Sequence, residues 1–168
     1  MHDLDFSIHR IPDQLTPSQR EVLRPHSLTL EELKSQSHPA DAWLAPCDWE
    51  QTFKQLCLAK GMDLNCGKKL PLMFADAGLE DVQIKRYVYY MGSWDGMTDA
   101  ERKFAEFHKK TIAVDLSQSI QRIGQGQDAV PQEKVTQAIA DIKKEHEQWE
   151  GNRGFFFIYA VCGRKPAK

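Results

Sequence analysis

The chain opens on an alternating stretch. Leu4, Phe6, Ile8 and Ile11 stand against Asp5, Ser7 and His9, the two-residue period of a strand with one buried face. Residues 12–46 then turn polar and are broken by Pro12, Pro17, Pro25, Pro39 and Pro46, which predicts an irregular excursion. Two short helices fit inside it. Thr16-Pro17-Ser18-Gln19 supplies a cap, a first-position proline and a glutamine at the third helical position, and Thr29 caps Leu30-Glu31-Glu32-Leu33 within Ser27–Lys34. Asp48 with Gln51 predicts the start of a longer helix, with Trp49, Phe53, Leu56 and Cys57 on one face and Gly61 at its end.

Another short helix is expected from about Gly67, with Pro71 near its start, and Leu70, Met73, Phe74 and Ala77 on one face. Gly78 supplies the left-handed stop. Val82, Ile84, Arg86 and Val88 then alternate with Gln83, Lys85, Tyr87 and Tyr89 as a strand. Thr98 and Glu101 form a capping box for a helix reaching about Ile123, with a stripe of Phe104, Phe107, His108, Ile112, Leu116, Ile120 and Ile123. After a polar turn at 124–129, Val130-Pro131 starts a last helix whose stripe is Val135, Ala138, Ile139, Ile142, His146 and Trp149. Phe155–Cys162 is almost continuously apolar, as for a strand covered on both faces.

These elements predict an α/β protein, with residues 1–168 as one domain and 12–46 as an excursion from it. Apolar residues make up 41% and charged residues 27%, the balance of a globular chain. A net charge of −2 gives no electrostatic case for nucleic acid or an anionic membrane. No apolar run nears the ~20 residues that span a bilayer, and Met1-His2-Asp3-Leu4-Asp5 lacks the basic-then-apolar start of a secretory leader. A cytoplasmic location is expected. Cys47, Cys57, Cys66 and Cys162 form no C-x-x-C pair and no common zinc spacing, so no metal site is expected.

Three phrases carry a family resemblance. Leu70-Pro71-Leu72-Met73-Phe74-Ala75-Asp76-Ala77-Gly78-Leu79-Glu80-Asp81-Val82 resembles the late helix and sixth strand of class I S-adenosylmethionine-dependent methyltransferases. Phe155-Phe156-Phe157-Ile158-Tyr159-Ala160-Val161-Cys162-Gly163-Arg164-Lys165-Pro166 resembles their seventh strand, which often ends in a Gly-Arg-Lys-Pro step. Gly92-Ser93-Trp94 is similar to a step in fungal methyltransferases of secondary-metabolite clusters, among them relatives of a global regulator of that metabolism. In order and spacing these phrases cover roughly residues 1 to 166 and match the C-terminal half of the domain.

The resemblance implies a partial Rossmann-like fold with residues 4–11 as the fifth strand and the last strand antiparallel beside the sixth. It implies methyl transfer from S-adenosyl-L-methionine to a small, polyketide-like acceptor, and it puts Asp5 at a strand end as a cofactor-binding candidate. The glycine-rich cradle is not in the chain. No glycine precedes Gly61, and Gly124-Gln125-Gly126 follows a helix-like segment where the fingerprint needs a strand. A truncated product of a longer gene and a chain that has lost methyl transfer both fit that gap. A chain of this length would expose apolar sheet edge and face for a methyltransferase partner or a homodimer to cover.

Candidate chemistry is sparse. His9 and His108 are the candidate bases, since imidazole titrates near neutrality. Trp49, Tyr90 and Trp94 are substrate-wall candidates, by stacking on a flat apolar acceptor. For each, a structural place in the core is the competing reading. Two other functions stay open: a non-catalytic scaffold or partner subunit, and a cofactor-free cyclase or isomerase using His9, His108 or Tyr90.

Overall fold

A computed structural model describes residues 2–34 and 39–166, with side chains given for all of these except 2–5 and 110–113. In chain order it forms β1 (His2–Arg10), α1 (Pro17–Glu21), β2 (His26–Leu28), α2 (Leu30–Lys34), a short 3-10 helix (Pro39–Trp43), α3 (Asp48–Ala59), α4 (Cys66–Asp76), β3 (Glu80–Tyr90), α5 (Asp99–Gly124), α6 (Gln132–Glu147) and β4 (Gly154–Arg164). The architecture is mixed α/β: seven helices among the described residues and one four-stranded sheet of order β1-β4-β3-β2. Each neighbouring pair is antiparallel, so β1 and β3 run in the same direction on either side of β4. The expected pairing of Val82–Tyr89 with Phe155–Cys162 is present, with Tyr87 opposite Ile158 and Val88 opposite Phe157.

The two faces of the sheet are covered differently. Ile84, Val88 and Tyr90 of β3 and Phe155, Phe157, Tyr159 and Val161 of β4 pack under the segment from Ile11 to Trp43 and against Leu70 of α4. Phe6 and Ile8 of β1 and Phe156 of β4 pack on the other side against Trp49, Phe53 and Leu56 of α3, Ile120 of α5 and Val135, Ala138 and Ile142 of α6. The alternation of β3 and the triple phenylalanine of β4 are the reason the sheet serves two cores. Successive side chains leave opposite faces, and both faces of this part of β4 are buried. Beyond Phe157 that cover ends. Ile158 and Ala160 are half-buried and Cys162 is exposed, so the far end of β4 is not covered on both faces as its apolar run predicts.

The caps are largely where the sequence puts them. Thr16 with Gln19 and Thr98 with Glu101 form complete capping boxes, and Glu32 accepts bonds from the Thr29 backbone and hydroxyl. Asp48 is the exception. It is the first helical residue, Cys47 is the cap, and no side-chain cap bond forms. Pro71 also differs from expectation. It is the sixth residue of α4 and buried, where its missing N–H takes away the helical donor to the Gly67 carbonyl. The face of α4 turned inward is Gly67, Leu70, Pro71 and Phe74, whereas Met73 and Ala77 are exposed. Gly78 has φ +74° and ends the helix, with the Leu79 N–H reaching the Phe74 carbonyl at 3.1 Å. In α5, Phe104 and Phe107 of the expected stripe stand in solvent.

The excursion at 12–46 is more ordered than its prolines suggest. It contributes β2, the 3-10 helix and the buried Ala40 and Trp43, neither of which the polar pattern reveals. It also occupies the second half of the β1 edge. Leu44 bridges His9, and the Ala45 N–H donates to the Ile8 carbonyl at 2.9 Å. This part of the edge, expected to need a partner, is closed by the chain itself.

Candidate functional site

A cavity of about 400 Å³ lies between the Ile11–Trp43 cover and the sheet. β1 gives it His9, β3 gives Arg86, β4 gives Phe157 and Tyr159, α4 gives Lys68, and the cover gives Leu28, Glu32, Leu33, Lys34 and Asp41. The volume is in the range of small-molecule pockets, and charged groups converge on an apolar floor as such pockets require.

His9 pairs with Phe155 across β1 and β4, and its ring lies on the face shared with Phe155 and Phe157, opposite that of Phe6 and Ile8. The ring stacks on Phe155 with centroids 5.1 Å apart. Its Nδ1 lies 2.8 Å from the Ala40 carbonyl oxygen. A carbonyl only accepts, so Nδ1 carries the proton and Nε2 is the basic nitrogen of the neutral ring.

Arg86 occupies an inward position of β3 between Ile84 and Val88 and is only 5% exposed. Its guanidinium carbon lies 4.5 Å from the centroid of Phe157, a cation–π contact. Burial lowers its pKa from the ordinary arginine value, while Tyr159 and Asp41 act in the opposite sense. Glu32 is committed elsewhere. Its carboxylate holds the Thr29 N–H at 2.7 Å and the Thr29 hydroxyl at 2.9 Å, and the backbone bond, then the hydroxyl, keeps its pKa below the usual value. Lys34 pairs with Glu31 at 3.1 Å.

The other candidates lie apart from this cavity. His108 is on the opposite face, stacked on Tyr89 with centroids 3.5 Å apart, and burial pulls its pKa down to about 4. Trp49 is buried in that second core, edge-on to Phe6, and also borders a shallow polar groove with Gln51, Gln55 and Gln137. Tyr90 and Trp94 are buried together in a T-shaped contact at 5.4 Å. The Tyr90 hydroxyl donates to Glu101 at 3.0 Å, and burial, then Glu101, pushes its pKa up. Tyr90 also borders an open apolar groove of about 460 Å³ with Leu23, Val88 and Phe104. The Asp5 side chain lies outside the described residues. Of the named candidates whose side chains are described, His9 alone lines the cavity beside Arg86, and the two histidines lie on opposite faces of the sheet.

Arg86, Tyr159, Lys68 and Asp41 were not singled out by the sequence. One signal pointed to Arg86: a cation standing in the apolar register Val82, Ile84, Arg86, Val88, where an inward charge needs a reason.

A nucleotide cradle is not made by the described residues. Gly126, at φ +69°, and Gly124 join two helices, and a Cβ on Gly124 would come within 2.9 Å of Val135. Gly92 follows β3, but a Cβ there would lie 2.2 Å from the Asn152 carbonyl oxygen, so this glycine serves a chain crossing. The residues present therefore do not fit S-adenosyl-L-methionine as a bound group. Among the described residues no three His, Cys, Asp or Glu side chains converge to hold a metal ion, and no helix is long and apolar enough to cross a membrane. Comparison with family models, curated proteins and solved structures finds no match to this chain.

Proposed function

We propose that this chain is the acceptor-side half of a class I, Rossmann-like methyltransferase domain of the fungal secondary-metabolism type, and that the cavity beside His9 and Arg86 seats the small-molecule acceptor. The observation that carries the reading is the strand order. The last strand enters antiparallel beside the strand after the Ala77-Gly78 step, and β1 lies on its other side, running parallel to β3. The antiparallel entry of the last strand beside the sixth is what the resemblance implies.

In this reading the chain's own residues bind and orient. Phe157 and Tyr159 form an aromatic floor, Arg86 supplies fixed positive charge, and the basic Nε2 of His9 accepts a proton from an acceptor hydroxyl. The methyl donor belongs to residues outside this half, and no transfer step is assigned to these side chains. A cytoplasmic location goes with this role.

The test is the reading frame upstream of Met1, together with calorimetry. The expected result is an in-frame strand, glycine-rich turn and helix, and S-adenosyl-L-methionine binding by the extended chain but not by this one. An upstream frame without that unit, or an extended chain that binds nothing, overturns the proposal.

A second reading, a non-catalytic partner subunit, draws on one observation: Phe107, Phe104 and Val114 are exposed along α5, Phe107 to 65%. A stable complex lost on Phe107→Ser, with no activity in the extended chain, would favour it.

A further inference from the structure

We propose that the outer edge of β3 at Val88–Tyr90 takes an extended, uncharged segment of another polypeptide, added to the sheet as one more strand. The proposal stands apart from the methyl-transfer reading and uses neither the cavity beside His9 nor a cofactor.

The ladder sets which backbone groups face outward. The Met91 N–H donates to the Gly154 carbonyl at 2.8 Å, and these two residues continue the register that sets Tyr90 opposite Phe155. Hydrogen-bonded pairs alternate along an antiparallel ladder. Tyr89 and Tyr87 therefore also turn their N–H and C=O groups to β4, while Tyr90, Val88, Arg86 and Ile84 turn theirs the other way. β2 answers two of these four, with His26 opposite Arg86 and Leu28 opposite Ile84. It does not answer Val88. Arg24 is next in that register, and its N–H is spent on the Glu21 carbonyl at 3.1 Å. Among the described residues no backbone hydrogen bond reaches Val88 or Tyr90 from the β2 side.

Val88 and Tyr90 line a groove of about 460 Å³ whose apolar walls are Leu23, Pro25, Tyr87 and Phe104. Donors and acceptors recurring every second residue, about 6–7 Å apart, match the edge of another strand, and apolar walls on both sides suit its alternating side chains. The charges say which strand. Glu101, at the groove, already accepts bonds from Thr98 at 2.7 Å and from Tyr90 at 3.0 Å, and Arg24 pairs with Glu21 at 3.0 Å. A charged side chain entering here would give up water and find its opposite committed. The segment is therefore neutral and apolar, and about four or five residues span the site.

The experiment is amide hydrogen exchange by NMR on the purified chain, with and without the peptide acetyl-Thr-Val-Ile-Val-Thr-amide. In the free chain the Val88 and Tyr90 amides should exchange faster than those of Tyr87 and Tyr89, which donate to β4. Saturating peptide should slow the Val88 and Tyr90 amides at least about tenfold. The fully N-methylated peptide, with the same side chains and no donors, should bind at least about tenfold more weakly, as should peptides with Glu or Lys for the central isoleucine. Ala100 is exposed and also lines the groove, so Ala100→Arg should abolish binding and leave the urea midpoint unchanged. No slowing of the two amides at millimolar peptide, equal binding of the N-methylated peptide, or binding indifferent to Ala100→Arg overturns the proposal. The same slowing produced by raising the protein concentration alone would make the occupant a second copy of the chain and overturn it too.

Discussion

Glu101 ties three parts of the chain together, and its removal is the most informative perturbation. One carboxylate oxygen accepts the Thr98 N–H at 2.7 Å and the Thr98 hydroxyl at 2.9 Å, closing the capping box of α5. The other accepts the hydroxyl of the buried Tyr90 at 3.0 Å. Arg20 of α1 stands 3.8 Å away. Glu101→Ala removes the return half of the box, worth about 1 kcal/mol for a typical cap. It also leaves the Tyr90 hydroxyl buried with its acceptor gone, a cost of about 1–3 kcal/mol. The Arg20 contact is long and partly exposed and adds about 0–1 kcal/mol, removable by salt. The expected loss is therefore about 2–5 kcal/mol. Urea unfolding followed by tryptophan fluorescence measures it directly. The double-mutant cycle with Tyr90→Phe should return a coupling of about 1 kcal/mol, and Thr98→Ala alone should cost about 1 kcal/mol. A Glu101→Ala loss below about 0.5 kcal/mol, or no coupling to Tyr90, would refute the reasoning.

Other perturbations test other parts of the fold. His108 is held neutral by burial, with its pKa near 4 in the folded chain against about 6.5 when unfolded, so stability is full above pH 6.5 and falls as pH drops towards 4. His108→Gln should flatten that slope in urea midpoints taken across the range, and an unchanged slope would exclude His108 as its source. Gly92→Ala forces a Cβ to within 2.2 Å of the Asn152 carbonyl oxygen and should cost about 1–3 kcal/mol or more in thermal unfolding. Gly78→Ala meets open space and should cost only the left-handed backbone penalty of about 1–2 kcal/mol. Ile120→Ala empties a fully buried position between α5 and the sheet and should cost about 2–5 kcal/mol by urea titration. With a thiol reagent near neutral pH, exposed Cys162 should label before Cys47, whose thiol burial pushes up to about 12.

Much of the framework was legible because its signals are local. The alternation of Leu4–Ile11 and Val82–Tyr89 gave β1 and β3, the phenylalanine run gave β4, and Trp49, Phe53, Leu56 and Cys57 are all buried along α3 as their spacing requires. The capping boxes at Thr16 and Thr98 formed as written. Three residues of β2, two of them polar, hold too little pattern to show a strand. Its existence depends on pairing with Ile84–Arg86, a contact across more than fifty residues of chain. Pro71 read as a helix start, yet Gly67, Leu70 and Phe74 are turned inward with it, and tertiary packing outweighed its local preference. The cavity was the least legible feature. Periodicity puts Arg86 in the apolar register of β3 but His9 on the polar side of β1, although its ring is buried in the structure. It does not say that three strands and the excursion bring those positions to one place.

The position of β4 has a consequence for how the protein comes into being. Gly154–Arg164 is an interior strand of the sheet, and its ladders join His2 to Ala160 and Ile84 to Val161. While the ribosome is still making the residues before Gly154, β1 and β3 have nothing between them, and both await a strand that does not yet exist. Closure is therefore a late, long-range event, slow by loop entropy and unable to proceed stepwise during translation. A premature stop ahead of Gly154 would release a chain with helices already formed and its central seam open, a natural client for chaperones and proteases.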